Sequence, residues 1–210
     1  MWRRWGRLKS REVLVLMPLK AIIEAALLAS GKPLTLEALL KITQHQAEAP
    51  SKSEIKNALQ DLTKDCVQRG IELKEVASGY RFQVKAEFAE EISVLWDEKP
   101  SRYTRALLET LALIAYRQPV TRAEIEDVRG VSVSSNIIKT LVEREWIHVI
   151  GHREVPGRPA LYATTKMFLD YFNLRSLDGL PSLVQLQDID SIPSLALPEE
   201  GEVTSNEIKL

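Results

Sequence analysis

The sequence predicts a mostly α-helical fold with small β wings, an α+β arrangement of two tandem winged helix-turn-helix modules. Three observations support this fold class. Apolar residues recur at helical spacing in three successive segments, the period then changes to two across a short turn, and the whole order returns once along the chain. With 45% apolar residues, a chain of 210 residues can bury two small cores.

The first module is predicted to begin with two helices. Helix one starts at Leu19 and can end at Gly31, because glycine is favoured just after the last helical turn. Helix two follows Thr35, whose side chain is a good N-cap, and Glu37 places negative charge in its first turn. These signals place both helices within a few residues.

A third helix and a hairpin complete this module. Ser51 and Glu54 have the spacing of a capping box, and the helix they begin is predicted to run to Gly70. The apolar period then changes to two around the turn dipeptide Ser78-Gly79. The alternating residues are Ile71, Leu73, Tyr80, Phe82 and Val84. Three helices followed by a hairpin predict a winged helix-turn-helix.

An internal repeat predicts a second module of the same kind. Placing Pro33 over Pro119 brings similar residues into register, and a shift of four residues extends the register to the third helices. The aligned pairs include Leu34 and Val120, Thr35 and Thr121, Ile55 and Ile137, and Leu59 and Leu141.

In the second copy, Thr121 and Glu124 form another capping box, and Ser134 can cap a third helix over residues 135–146. Two wing strands are predicted over residues 146–150 and 161–164, around a tip rich in proline and glycine. A terminal helix is predicted next, from its residues Met167, Phe168, Tyr171 and Phe172.

Four regions are therefore predicted along the chain: 1–16, 17–100, 101–175 and 176–210. Residues 1–16 form a basic leader with five basic groups and one acidic group, and we expect the native protein to start at Met17. Residues 176–210 carry seven acidic groups and one lysine, and we expect disorder from about residue 185. A connecting helix through Phe88 should stop near Lys99-Pro100, which places the boundary between the modules near residue 100.

The sequence predicts no catalytic site, metal site or cofactor. It has no glycine-rich phosphate loop and no nucleophile elbow, and the single cysteine, Cys66, cannot supply a thiolate zinc site. Cys66 is interpreted as a buried thiol in a reducing cytoplasm. His148 and His152 fall in predicted wing strands, where four residues span about 13 Å, so they are not expected to share a metal.

Binding to another macromolecule remains, and the charge distribution favours a protein partner. Residues 17–175 are close to neutral, and the third helix of the second module mixes Lys139 and Arg144 with Glu143 and Glu145. Strong binding to duplex DNA requires a basic face. A winged-helix DNA-binding transcriptional regulator stays open as the alternative, and an enzyme is the third reading. No membrane span is expected, because the longest apolar run covers seven residues.

Two blocks carry a family resemblance. Residues 107–131, LLETLALIAYRQPVTRAEIEDVRGV, are similar to the signature stretch of segregation and condensation protein B. Residues 157–165, GRPALYATT, with the segments 167–174 and 176–181 after them, resemble that family's closing motif. The resemblance spans residues 19–183 and leaves out the basic leader. The polar insertion at residues 44–50 departs from the family without touching either block.

The resemblance implies a non-catalytic homodimer that binds the kleisin subunit, segregation and condensation protein A, and through it the heads of an SMC ATPase. Such a protein supports chromosome condensation and partition during cell division, in the cytoplasm and associated with the nucleoid through the complex. It implies dimerisation by the N-terminal module and kleisin binding by the C-terminal module. We expect no binding to a membrane and no strong binding to duplex DNA by the chain alone.

The candidate partner-binding residues are Arg158 and Tyr162, both in the second wing. Arginine and tyrosine are enriched among the residues that dominate binding energy at protein interfaces. A kleisin segment is expected to enter as a short amphipathic helix in a groove between helix and wing. The alternative for Tyr162 is a packing role inside the wing, with Gly157 and Pro159 shaping its tip.

Overall fold

The computed structural model describes residues 18–44, 49–95 and 103–181. The described residues up to Leu177 form one compact unit, and the predicted element order occurs twice within it. We call residues 18–95 module one and residues 103–177 module two. The basic leader, the centre of the insertion at residues 45–48, the boundary near residue 100 and the tail beyond residue 181 lie outside the described residues.

Module one is a three-helix winged fold, as predicted. The end of the first helix and the start of the second lie at the residues that the sequence predicts. Gly31 adopts a left-handed φ of 60° after the first helix, and Thr35 accepts a hydrogen bond from the Ala38 N–H at the start of the second. Ser51 and Glu54 form a complete capping box. The elements are α1 Leu19–Ser30, α2 Leu36–Thr43, α3 Lys52–Asp65, β1 Ile71–Val76 and β2 Gly79–Val84.

The third helix is shorter than predicted and ends at Asp65 instead of Gly70. The Gly70 carbonyl accepts a hydrogen bond from the Lys85 N–H, so the hairpin ladder has already begun there and the helix must stop earlier. The hairpin turn is Ala77 and Ser78, and Gly79 belongs to β2, opposite Val76. The turn therefore lies one residue before the predicted dipeptide.

The core of module one is formed by one face of each of its three main helices. Burial of apolar area of this kind is the main favourable term in folding. The β1–β2 hairpin covers the core from one side through Leu73, Tyr80 and Phe82. The buried cluster consists of Ile23, Leu27, Leu39, Ile55, Ala58, Leu59 and Leu62.

The connecting helix predicted through Phe88, Ile92 and Leu95 is present as three short pieces. A 3-10 turn, Ala86–Phe88, leads into α4, Ala89–Ile92, and a second 3-10 turn, Ser93–Leu95, follows. Val94 and Leu95 are largely exposed. This segment therefore leaves apolar side chains on the surface of module one.

Module two has the same order with an additional short strand. Thr121 and Glu124 form the predicted capping box, Ser134 caps the next helix, and Gly130 adopts a left-handed φ of 70°. The elements are α5 Arg105–Arg117, β3 Val120–Thr121, α6 Arg122–Arg129, α7 Ser135–Glu143, β4 Ile147–His152, β5 Ala160–Thr164 and α8 Lys166–Tyr171, after which a 3-10 turn spans Leu177–Gly179.

Helix α7 ends at Glu143, three residues before the predicted end at Trp146. Glu145 adopts a left-handed φ of 57°, and the Trp146 N–H bonds back to the Leu141 carbonyl. This six-to-one hydrogen bond closes a helix and redirects the chain. Trp146 is thereby buried at the start of the wing.

Strand β3 makes the wing of module two a three-stranded antiparallel sheet in the order β3-β5-β4, instead of the predicted pair of strands. Val120 lies opposite Tyr162 in its register. Module one contains the equivalent contact as a single bridge, in which Leu34 and Tyr80 exchange two backbone hydrogen bonds of 2.9 Å. The sequence alignment of Leu34 with Val120 therefore predicts matching positions in the two wings.

Candidate partner-binding surface

A seven-residue tip, residues 153–159, joins β4 to β5 in the second wing. The Arg153 N–H bonds to the Pro159 carbonyl at 2.9 Å and closes the tip. Inside it, the Arg158 N–H bonds to the Val155 carbonyl at the same distance, and Gly157 adopts a left-handed φ of 85°. The tip is therefore an ordered turn that holds its side chains outward.

Arg158 stands on this tip with 70% of its side chain exposed. Its guanidinium donates to Glu154 at 2.9 Å, and the Glu154 side chain is also exposed. An exposed ion pair of this kind contributes little stability, because water screens it. The guanidinium can therefore exchange Glu154 for a carboxylate of a partner at small cost.

Tyr162 lies at the centre of β5, between Val120 on β3 and Val149 on β4. Its side chain is half-buried, and within the described part of the chain no hydrogen bond reaches its hydroxyl. Buried tyrosine hydroxyls usually find a partner. This geometry fits both the wing-packing role and the partner-contact role, and it places Tyr162 no more than about 13 Å from Arg158 along an extended segment.

A groove between helix and wing was expected from the sequence, but its lining residues were not predicted. Such a groove lies between α7, β4 and the start of α8. It has a volume of about 420 Å³. Val142 and Met167 are exposed apolar side chains on its two rims, and Ile147 is buried at its base. The full lining is Val142, Glu145, Ile147, His148, Thr165, Lys166 and Met167. The one sequence signal is that Val142 widens the apolar stripe of α7 beyond Ile138 and Leu141.

Strand β4 lies at the edge of the sheet, next to this groove. Val149 and Ile150 are about half exposed, and the pairing with β5 shifts register between Val149 and Gly151. Bulges of this kind protect edge strands against unspecific pairing. The second wing therefore combines an apolar groove, an apolar edge and an arginine-bearing tip.

An aromatic cluster lies where α5, α7 and α8 meet. The Arg144 guanidinium lies 4.7 Å from the ring centre of Tyr103 and donates to its hydroxyl at 2.9 Å. The hydroxyls of Tyr103 and Tyr171 are 3.1 Å apart, and this hydrogen bond, together with burial, raises the pKa of Tyr171. Arg144 is thus held by aromatic rings, and Trp146 packs against Tyr171 and Phe172.

The basic side chains of the two third helices are largely paired with acidic ones. Lys139 lies 3.6 Å from Glu143 on α7, and on α3 Lys64 lies 2.9 Å from Asp61. A recognition helix for duplex DNA presents unpaired cations to the phosphates. These helices do not form such a face.

His148 and His152 both lie on β4, in the predicted wing, and both are exposed. Across residues 18–44, 49–95 and 103–181 no group of three or more histidine, cysteine or acidic side chains could hold a metal ion. No helix among these residues combines the length and the apolar character needed to cross a membrane.

Comparison with known proteins gives consistent matches. The family model described as "Segregation and condensation complex subunit ScpB" matches residues 21–183. A "Segregation and condensation protein B homolog" of Coxiella burnetii is 58% identical over 173 residues, which are 82% of each chain. The segregation and condensation protein B of Syntrophotalea carbinolica is 40% identical, over 81% of this chain and 85% of its own.

Several solved structures are also similar. The crystal structure of ScpB from Mycobacterium tuberculosis is 35% identical, covers 78% of this chain and 99% of its own, and has a TM-score of 0.35. Because this TM-score is below 0.5, the fold assignment rests on the elements described above.

Proposed function

Because the chain belongs to the family of segregation and condensation complex subunit ScpB, we propose that it is a non-catalytic subunit of a bacterial condensin-like SMC complex. In this role it binds the kleisin, segregation and condensation protein A, and reaches the SMC ATPase through it. The complex supports chromosome condensation and partition, so the chain acts in the cytoplasm at the nucleoid. The family match over residues 21–183 supports this proposal.

The observation that carries the kleisin-binding role is the second wing of module two. Its groove is lined by Val142, Ile147 and Met167, and an amphipathic helix can place apolar anchors in a groove of this kind. Arg158 on the tip can pair with an acidic residue beside those anchors, and Tyr162 can contact the same segment. These features support our proposal that module two binds the kleisin.

For module one we propose a role in dimerisation. Its surface exposes apolar side chains on α1, on α2, just after α3 and on the connecting segment, which a second copy would cover. The residues are Leu28, Ile42, Val67, Phe88, Val94 and Leu95. Sedimentation of the full chain at tens of micromolar should give a dimer, and a fragment of residues 17–100 should remain one. A fragment that sediments as a monomer would place the dimer interface elsewhere.

The kleisin site is tested by calorimetric titration of the full chain with purified kleisin. Arg158→Ala and Tyr162→Ala should each weaken binding by about 1 to 2 kcal/mol, the range of interface anchors. The melting temperature must be recorded alongside. If Tyr162 packs the wing instead, its truncation should cost about 3 kcal/mol of stability. Unchanged binding by a folded double variant would exclude both residues.

The groove has a matched control on the same module. Val142 and Val128 are both 42% exposed, but only Val142 lines the groove. Val142→Glu should weaken kleisin binding at least tenfold, since it places a charge among apolar anchors, whereas Val128→Glu should leave the affinity unchanged. Equal losses in the two variants would move the site away from the groove.

The competing function is a DNA-binding regulator, and the same protein sample can test it. Titration with duplex DNA over increasing salt should show weak binding without sequence preference. Tight duplex binding that falls steeply with salt, together with no affinity for the kleisin, would support the regulator instead.

A further inference from the structure

The tip of the first wing is bonded to the end of the last helix. The Ser78 N–H donates to the carboxylate of Asp170 at 2.9 Å, and the Ala77 N–H donates to the Leu174 carbonyl at 2.9 Å. Both donors belong to the hairpin turn of module one, and both acceptors belong to module two. A turn that normally faces water is thus committed to a contact within the chain.

Arg81 on β2 makes the central contact of this junction. One nitrogen of its guanidinium donates to the backbone carbonyl of Asp170 at 2.9 Å and to the side-chain oxygen of Asn173 at 2.8 Å. The last carbonyls of a helix lack partners within the helix, and Arg81 supplies one here. On the same hairpin, Glu75 pairs with Arg175 at 3.3 Å.

Burial makes these contacts depend on one another. Asp170 is 6% exposed, and the Arg81 Nε is buried without a hydrogen-bond partner among the described residues. The Asp170 carboxylate accepts from the Ser78 N–H, so opening of the junction would leave this buried charge without that donor, which is strongly unfavourable unless water can reach it. Loss of Arg81 would remove one donor from the Asp170 backbone carbonyl and from the Asn173 side-chain oxygen, and the junction would then open to water.

The junction is held by polar contacts at a few residues, in contrast to the apolar core inside each module. Small, polar contacts between modules permit relative movement far more readily than apolar ones do. We propose that residues 75–81 and 170–175 form a reversible clasp. While it is closed, module two keeps one orientation against module one. When Arg81 leaves Asp170 and Asn173, module two is released.

The clasp has a direct consequence for the first wing. Its turn N–H groups and Arg81 are occupied while the clasp is closed, so they are not available to touch another molecule. In the closed state the second wing is the wing that presents its tip outward. The orientation in which it does so is set by the contacts of Arg81.

Amide hydrogen exchange of the full chain tests the clasp at the two donor amides of the first wing. In the native chain the amides of Ala77 and Ser78 should be protected. Arg81→Met should speed their exchange at least tenfold, while the amides of α3, including that of Leu59, keep their native rates. Lys74 lies directly opposite Arg81 in the hairpin, so Lys74→Met is the matched control and should change neither region.

A second variant keeps the test decisive if Arg81→Met perturbs module one. Asn173 has a left-handed φ of 58°, so Asn173→Gly removes the side-chain acceptor without straining the backbone. It should speed exchange at Ala77 and Ser78 in the same direction by a smaller factor. The distribution of distances between spin labels at Gln60 and Lys139 should broaden in both clasp variants. Native exchange rates and an unchanged distance distribution in both would overturn the clasp.

Discussion

The two wings occupy equivalent positions in equivalent folds, yet their tips make different contacts. The first wing turns through Ala77 and Ser78, and its tip is bonded to the end of α8. The second wing extends into a seven-residue tip whose Arg158 is exposed. Both wings contain an antiparallel strand pair, and the difference in their contacts resides in the tips. Tip length and chemistry decide whether a wing fastens its own chain or faces a partner.

The aligned tyrosines show the same contrast. Tyr80 bridges to Leu34, and Tyr162 pairs with Val120. Burial, with a hydrogen bond to Glu75, raises the pKa of Tyr80 to about 12. Tyr162 has no such partner among the described residues. Both side chains are half-buried, and the difference is that only the Tyr80 hydroxyl is hydrogen-bonded among the described residues.

The comparison of the two modules is tested most strongly by truncating one buried leucine at an aligned position in each core. Leu59 and Leu141 are both buried, and Leu→Ala at either one should lower the free energy of unfolding by about 2 to 5 kcal/mol. Hydrogen exchange should locate each loss in its own module. As a control, Leu141→Met should cost less than about 1.5 kcal/mol. If both substitutions destabilise both modules equally, the modules fold as one cooperative unit.

The two wings also differ in the space around the glycine at each tip, Gly79 at the start of β2 and Gly157 within the second tip. Gly79 has a φ of 128°, and a Cβ built there would lie 2.2 Å from the Leu34 carbonyl oxygen, whereas Gly157 has a φ of 85° and open space around it. Gly79→Ala should therefore cost about 3 kcal/mol or more, since it adds a clash with backbone to the strain, and Gly157→Ala about 1 to 2 kcal/mol. Thermal melts of the two variants measure the difference. Equal losses would mean that the Leu34 bridge yields easily.

The parts of this fold that depend on neighbours in sequence are predictable from it. Both capping boxes, at Ser51 and Thr121, occur where the spacing of Ser or Thr and Glu predicts them. The order of the helices and the repeat follow from the spacing of apolar residues, which is a local property of the sequence. The fold class was within reach for that reason, and Arg158 and Tyr162 stay predictions that only binding measurements can test.

The parts that were missed depend on residues far apart in sequence. Strand β3 has two residues, too few to show alternation, and it exists because Val120 meets Tyr162. In the sequence, Asp170 is an ordinary charged residue of a short helix, and only the folded chain shows its contact with Ser78. The groove likewise needs Val142 and Met167 on neighbouring elements. Long-range contacts of this kind leave no periodic signal.

The capping boxes allow a finer comparison of the modules. Ser51 accepts from the Glu54 N–H, and Thr121 accepts from the Glu124 N–H. Removing a capping hydroxyl typically costs about 1 kcal/mol, so Ser51→Ala and Thr121→Ala should lower the stability of their own modules by similar small amounts. Urea melts followed by hydrogen exchange can check this. A much larger loss for Thr121 would reflect its burial and its place in β3.

The smallest expected effect is on the acid side of the pH profile. Hydrogen bonds from the Ser51 and Thr121 backbone lower the pKa of Glu54 and Glu124 below the usual 4.5. A lowered carboxyl pKa adds stability above the unfolded pKa, and this is lost as pH falls through the folded pKa. Melting temperatures between pH 3 and 7 should therefore decline less in Glu54→Gln and Glu124→Gln than in the native chain. Parallel profiles would contradict this origin.

The sequence separation of the clasp has a consequence for synthesis in the cell. Ser78 and Asp170 are 92 residues apart, and domains generally fold N-terminal first while the chain is made at about 5 to 20 residues per second. Module one can therefore complete its core roughly 5 to 20 seconds before its partner residues exist. During that interval the Ala77 and Ser78 amides and Arg81 face water. The newborn chain therefore passes through a state in which the first wing is free, before Asp170 is made and can fasten it.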